Sequence, residues 1–239
     1  MVATQTTTWL VTGASRGLGL EIVRQLTATE SNLVIATARN PSTASQLSAL
    51  QEEIRSLNNL HVIQLDANDE KSMRASVAQV QQILGERGLD VLYNNAGIVS
   101  ISNVFGFEYA NLPKILQTNV VAPAFLGELF LPLLERGARK TIVNVSSSLG
   151  SIGVNFGKPY PTYSLTKTAL NMLSYKQAKA RSDLIVISLC PGHCKTEMGG
   201  PYATLEPSES VAGQLRLVAG LKPEHTGRFW RYDGEEVPW

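Results

Sequence analysis

Short apolar runs alternate with longer segments of helical period along the whole chain. The runs Trp9–Thr12, Leu33–Thr37, His61–Leu65, Val91–Asn94, Ile142–Ser146 and Leu184–Cys190, with a last one near Arg228–Tyr232, have strand length. Between them the pattern predicts helices near Gly17–Ala28, Thr43–Leu57, Glu70–Leu84, Thr118–Glu135, Pro161–Ala180 and Ser208–Ala219. Strands that alternate with helices from end to end imply a doubly wound α/β fold, a seven-stranded parallel sheet flanked by helices on both faces. No linker rich in Pro, Gly or Ser, no repeat and no low-complexity tract divides the chain, so residues 1–239 are expected to form a single domain.

Composition narrows the class of partner. The 239 residues are 44% hydrophobic and 17% charged, as in an ordinary globular protein. A formal net charge of +1 gives no electrostatic reason to expect nucleic acid or an anionic membrane as partner. Met1 to Thr8 is polar and Thr-rich, without the pattern of a signal peptide. The most apolar segment, Val120 to Leu134, carries Glu128 and two prolines and is too short to span a bilayer. A cytoplasmic location is therefore expected. Two cysteines, Cys190 and Cys194, suit a reducing compartment without disulfides. With His193 they do not complete a tetrahedral metal site, so no metal is expected, and Cys190 reads as a small buried hydrophobe ending a strand. His61, at the start of a strand, reads as structural.

Two stretches carry chemistry. The first strand runs into Thr12-Gly13-Ala14-Ser15-Arg16-Gly17-Leu18-Gly19 and then a helix. Glycines at a strand-to-helix turn let a pyrophosphate approach the backbone, where the helix N-terminus supplies donors and partial positive charge. Gly13, Ser15, Arg16, Gly17, Leu18 and Gly19 are thus candidate dinucleotide contacts. The second stretch is Tyr163-Ser164-Leu165-Thr166-Lys167. Residues four apart share a helix face, and a cation held beside a phenol lowers its pKa toward the range useful in proton transfer.

The spacing T-G-x-x-x-G-x-G resembles that of the short-chain dehydrogenase/reductase family, in its small single-domain form. The resemblance covers nearly the whole chain. Asn94-Asn95-Ala96-Gly97, Asn119, the strand Ile142–Ser147, Tyr163 to Lys167, and Pro191-Gly192 with Thr196 follow in the family's order. It implies a Rossmann-type fold and hydride transfer between a nicotinamide and a carbonyl or alcohol carbon. Tyr163 would be the general acid or base, and Lys167 would depress its pKa and bond the nicotinamide ribose. Ser147 would bond the substrate oxygen, and Asn119 would hold a water that passes protons to Lys167. Asn95, Ala96 and Gly97 would line the cofactor, Thr196 would anchor its carboxamide, and the turn at Pro191-Gly192 would let that loop approach the ring. Ser147 is taken from Ser146, Ser147 and Ser148 because it aligns with the second serine after V-N-V.

The end of the second strand bears on the choice of cofactor. An NAD enzyme of this fold places an acid there to bond the adenosine ribose, whereas this chain reads Ala36-Thr37-Ala38-Arg39. Arg39 and Arg16 suit a 2′-phosphate, which favours NADP(H), although Arg39 also reads as a solvated surface arginine. Asp66 matches the family position that bonds the adenine amino group, and it also fits a helix cap ahead of Glu70.

Substrate walls are expected at Ile98–Phe105, Leu149–Tyr160, His193 and Met198–Leu205. The gap from Ser147 to Tyr163 is longer than is usual in the family, with the extra residues around Gly153–Pro161. T-E-M-G-G and the ending G-R-F-W-R-Y-D-G-E-E-V-P-W are similar to those of the norsolorinic acid ketoreductase branch and of C-factor and sniffer-type carbonyl reductases. That similarity implies an aromatic or polyketide-derived ketone, with a general carbonyl reductase or a catalytically silent NADP-binding sensor as alternatives. By the same analogy a homodimer or homotetramer is expected, through a face of Phe125, Leu129, Leu133, Leu170, Leu173 and Gln177, unless those positions pack on the sheet.

Overall fold

Seven parallel strands, ordered β3-β2-β1-β4-β5-β6-β7, form one sheet in the computed structural model, which describes residues 6–239. The polar start considered above lies outside the described residues as far as Gln5. The strands are β1 Thr7–Val11, β2 Asn32–Ala38, β3 Leu60–Gln64, β4 Val91–Asn94, β5 Thr141–Val145, β6 Ile185–Cys190 and β7 Phe229–Arg231. Each lies within a few residues of its predicted position. The strand order reverses between β1 and β4, and in open α/β sheets ligands bind in the crevice at the strand C-termini beside such a reversal.

Strand side chains alternate between two apolar layers. Trp9, Val11, Val34, Ala36, Val91, Tyr93, Val143 and Val145 face α1 (Gly17–Thr27), α2 (Ser45–Glu53) and α8 (Pro207–Ala219). Leu10, Leu33, Ile35, Leu92 and Ile142 face the opposite layer, with α3 (Glu70–Leu84), α5 (Ala122–Leu129) and α6 (Leu131–Arg136). A one-residue slip would exchange the layers, so burial on both faces fixes the register. Asp90, buried before β4, ties the base of this frame. Its carboxylate accepts from Thr8 N (2.8 Å), Ala138 N (2.7 Å) and Arg139 N (3.1 Å), joining β1, β4 and the turn into β5.

Two predicted helices are divided. In place of Thr43–Leu57 there is a 3₁₀ turn at Pro41–Thr43, then α2, then a 3₁₀ turn at Arg55–Leu57 that ends on Asn58 with φ 49°. In place of Thr118–Glu135 there are α4 (Asn111–Leu116), a π-helical turn Gln117–Val121, α5 and α6. Prolines explain both features of the second segment. Pro123 has no N–H to give the carbonyl of Asn119, four residues back, and Pro132 stands in the same relation to Glu128. The first loosens the helix into the π turn, and the second ends α5. Helix α7 spans Pro161–Ala180 as predicted.

The expected pairing face is largely internal. Leu133 and Leu170 are buried, Phe125 and Leu129 pack against the core, and Gln177 Oε1 accepts from Asn144 Nδ2 at 3.2 Å. The exposed apolar side chains of these helices are instead Val121, Leu165, Met172 and Tyr175. Among the described residues no helix is long and apolar enough to cross a membrane, and no group of three His, Cys, Asp or Glu side chains could hold a metal ion.

Candidate active site

The glycine turn sits on the C-terminal end of β1. Gly13 (φ 67°) and Gly17 (φ 58°) hold left-handed conformations that disfavour other residues. A Cβ on Gly13 would come 2.9 Å from Ala96 Cα, and one on Gly19 would come 2.2 Å from Gly13 O. The turn therefore packs directly on the Asn95–Gly97 segment. Thr12 locks the two together: its Oγ1 accepts from Asn95 N and Ala96 N, both at 3.0 Å, and Asn95 Nδ2 donates back to Thr12 O at 2.9 Å. No side chain caps α1, and its first turn holds no acid. Free N–H groups at a helix N-terminus, a glycine-lined approach and basic residues at Arg16 and Arg39 together fit a dinucleotide phosphate.

Arg39 follows β2 directly and is exposed. Arg16 is also exposed, and its Nε lies 3.3 Å from Glu197 Oε2, a partner with no local sequence signal. Asp66 is half-buried, and its Oδ1 accepts from Asn68 N at 2.9 Å. It does not cap α3. Asp69 does, accepting from Lys71 N at 2.9 Å. Ser15 and Leu18 are half-buried beside the turn.

The other cluster lies at the ends of β4 and β5. Asn119, in the π turn, is fully buried and clamps the loop after β4. Its Oδ1 accepts from Ile98 N (2.9 Å), and its Nδ2 donates to Ile98 O (2.9 Å) and Thr166 Oγ1 (3.0 Å). A Cβ on Gly97 would stand 3.4 Å from Asn119 Oδ1 and 3.6 Å from Lys167 Nζ, which brings these groups to one spot. Lys167 Nζ donates to Val145 O at 2.8 Å.

The three serines separate by their partners. Ser146 is buried and donates to Asn171 Oδ1 at 2.6 Å, and Ser148 Oγ lies 3.1 Å from Cys190 Sγ. Ser147 Oγ accepts from Leu149 N at 3.2 Å and stands beside the Tyr163 phenol, which makes it the serine free to serve that group. Tyr160 precedes α7 with φ 52° and is exposed, away from this pairing.

Burial dominates the electrostatics. It lowers the Lys167 ammonium to a pKa of about 8. It pushes the Tyr163 phenol up, with Ser147 opposing the shift. The lowering expected from Lys167 does not offset it: Nζ lies over the ring face, 5.4 Å from the centroid, and bonds to a carbonyl.

Thr196 lies on the loop after β6, 3.7 Å from where a Cβ on Gly17 would be, so this loop and the glycine turn flank one cleft. Pro191 and Gly192 (φ 80°) begin that loop. His193 Nε2 contacts Gly199 O at 2.7 Å, and Cys194 Sγ donates to Pro191 O at 3.2 Å. Part of the expected substrate wall faces elsewhere. Leu149, Ile152 and Phe156 line a cavity of about 680 Å³ with Leu165, Ala169 and Met172. By helical spacing those α7 residues lie on the far side of the helix from Tyr163 and Lys167.

The fold and this cleft define a dinucleotide-binding α/β oxidoreductase. The family model for short chain dehydrogenase matches residues 7–206. An uncharacterized oxidoreductase of Schizosaccharomyces pombe is 32% identical, over 97% of each chain. Among solved structures, the NADPH-bound carbonyl reductase from chicken fatty liver superimposes with a TM-score of 0.91 at 32% identity, covering 99% of this chain and 100% of that one. Carbonyl reductase Sniffer of Drosophila melanogaster gives 0.92 at 30% identity, with the same coverage. The chain belongs to the short-chain dehydrogenase family.

Proposed function

We propose that this protein is a cytoplasmic, single-domain reductase that uses NADPH to convert a ketone, aromatic or polyketide-derived, to a secondary alcohol. The convergence of Asn119, Ser147, Tyr163 and Lys167 beside a glycine-lined phosphate cradle carries the reading. When bound, NADPH supplies the hydride. The chain's own residues manage the oxygen and the proton. Ser147 donates to the carbonyl oxygen and stabilises charge developing on it. Tyr163, kept protonated at neutral pH by its burial, gives its proton to that oxygen as general acid. Lys167 bonds the nicotinamide ribose and relays a proton toward Tyr163 through water held at Asn119, whose carbonyl has lost its ordinary helical donor. Gly13, Ser15, Arg16, Gly17, Leu18, Gly19, Asn95, Ala96 and Gly97 bind the dinucleotide, Asp66 its adenine, Thr196 its carboxamide beside the Pro191-Gly192 turn, and Arg16 and Arg39 its 2′-phosphate. The NADPH-bound carbonyl reductase from chicken fatty liver supports this cofactor, and it and carbonyl reductase Sniffer support this direction.

Arg39 tests the cofactor. Arg39→Asp replaces a phosphate partner by a like charge and is expected to reduce NADPH preference over NADH by roughly 10- to 100-fold, several times the effect of a neutral substitution. The ratio of kcat/KM for the two cofactors measures it, and an unchanged ratio would leave Arg39 as a solvated arginine.

Lys167 gives a pH signature. Its ammonium deprotonates above about 8 in the free protein. Binding that needs the charged form must then recover a proton, so NADPH affinity should fall above that pH by up to about tenfold per unit. Lys167→Met should bind less tightly, with a flat profile over the same range. A wild-type profile as flat as the variant's would remove the ammonium from cofactor binding.

Assembly as a homodimer or homotetramer is part of this reading, through the exposed apolar residues Val121, Leu165, Met172 and Tyr175.

A further inference from the structure

Glu197 stands where an acid is least expected if the cleft beside it holds a phosphorylated dinucleotide. It follows Thr196 on the loop after β6, and its carboxylate pairs with Arg16 of the glycine turn at 3.3 Å. The pair thus ties together the two loops that flank the cleft. Both side chains are largely exposed, 72% for Arg16 and 78% for Glu197, so the bond is weak and exchangeable. The Glu197 side of the bond is the stiffer one. Lys195 N donates to Leu205 O (2.9 Å), Leu205 N to His193 O (3.2 Å), Gly199 N to Thr196 Oγ1 (3.1 Å) and Gly200 N to Thr196 O (3.1 Å). Lys195 also pairs with Glu206. Arg16, on a long side chain at the uncapped start of α1, is the partner able to turn away. Among the described residues Arg39 joins no ion pair, which leaves Glu197 as the acid paired with either of the two arginines.

We infer that Glu197 is a cofactor-selectivity residue: it competes with the 2′-phosphate of NADPH for Arg16. To turn its full guanidinium fork to a phosphate, an arginine held at Nε by a carboxylate gives up that pair, and the carboxylate then remains as a nearby like charge. A cofactor bearing only a 2′-hydroxyl makes no such demand, and Arg16 can stay with Glu197. The competition therefore costs NADPH affinity alone. It keeps the cleft from holding NADPH too tightly, and the Arg16–Glu197 pair re-forms as the oxidised cofactor leaves. This inference rests on the reading of Arg16 as a 2′-phosphate ligand.

Equilibrium titration of NADPH and NADH, followed by nicotinamide fluorescence, tests it on wild type, Glu197→Gln, Arg16→Gln and the double variant at low and high salt. Glu197→Gln should bind NADPH roughly three- to fivefold more tightly at low salt, the range set by an exposed ion pair. NADH affinity should not change, and the gain should shrink at high salt because both charges are exposed. In the Arg16→Gln background the Glu197 substitution should give a smaller gain, the difference measuring the competition. Weaker NADPH binding by Glu197→Gln would overturn the inference and make the pair a clasp closed over the bound cofactor. Equal gains for NADPH and NADH, or an undiminished gain without Arg16, would also overturn it. Wild type that binds NADPH no more tightly than NADH would instead refute the underlying cofactor assignment.

Discussion

Tyr163→Phe is expected to lower kcat by roughly 10²–10⁴-fold, the usual contribution of a positioned general acid, while NADPH binds with near wild-type affinity. The substitution removes one oxygen and keeps the ring against which Lys167 packs, with Nζ 5.4 Å from the ring centroid. Lys167 keeps its bond to Val145 O, and Asn119 keeps its clamp on Ile98, so the cofactor side of the cleft is preserved. What is lost is the proton delivered to the substrate oxygen, an interaction that strengthens in the transition state. Steady-state kinetics beside a direct NADPH titration separates the two effects. Equal activity in the variant would remove the mechanism, and a parallel loss of NADPH affinity would mean that the phenol serves binding rather than proton transfer.

Gly19→Ala should have the next largest effect, for a steric reason. A Cβ there would fall 2.2 Å from Gly13 O, 2.5 Å from Asn95 Nδ2 and 2.9 Å from Gly13 C. Two of these atoms are backbone of a turn held on both sides, so relief requires moving the cradle itself. Overpacking of this kind costs roughly 1–3 kcal/mol, and the shifted turn should weaken NADPH binding at least about tenfold. Gly17→Ala provides the contrast. Its Cβ would find Thr196 at an ordinary 3.7 Å, so its cost is that of holding alanine at φ 58°. Thermal melting with and without NADPH distinguishes them. Gly17→Ala should melt lower yet retain much of the NADPH-induced rise, whereas Gly19→Ala should lose most of it. A wild-type rise in Gly19→Ala would contradict the account of the turn.

The strands were legible because the central ones, β2, β4, β5 and β6, are buried on both faces and read as short apolar runs, the mark of a parallel sheet covered on both sides. Glycine spacing and the Tyr163–Lys167 interval were legible because they are local, set by one turn and one helix. The breaks in the segment around Asn119 were less so, although Pro123 and Pro132 are the residues responsible. Each removes a donor from a carbonyl four residues back, a signal visible only once the prolines are weighed against the apolar pattern. The expected pairing face was ambiguous for a related reason. Phe125, Leu129 and Leu133 have helical spacing, but periodicity does not say whether a stripe meets the core or another surface, and here it packs against the core. The choice of Ser147 rested on alignment with V-N-V. In three dimensions its neighbours are engaged elsewhere, Ser146 with Asn171 and Ser148 with Cys190, which is consistent with that choice. Thr12, Thr166 and Glu197 stand within motifs quoted above, but their partners had no sequence signature, because each acts on a residue distant in the chain.

The most direct test of the central claim is NADPH oxidation at neutral pH, with Tyr163→Phe as control. The carbonyl panel would run from small aldehydes and diketones to hydroxylated polycyclic aromatic ketones. The account predicts turnover of the bulky aromatic ketones that depends on Tyr163. Turnover confined to small carbonyls would replace the substrate assignment with that of a general carbonyl reductase. Tight NADPH binding with no oxidation by any member of the panel would contradict the claim and point to a cofactor-binding sensor.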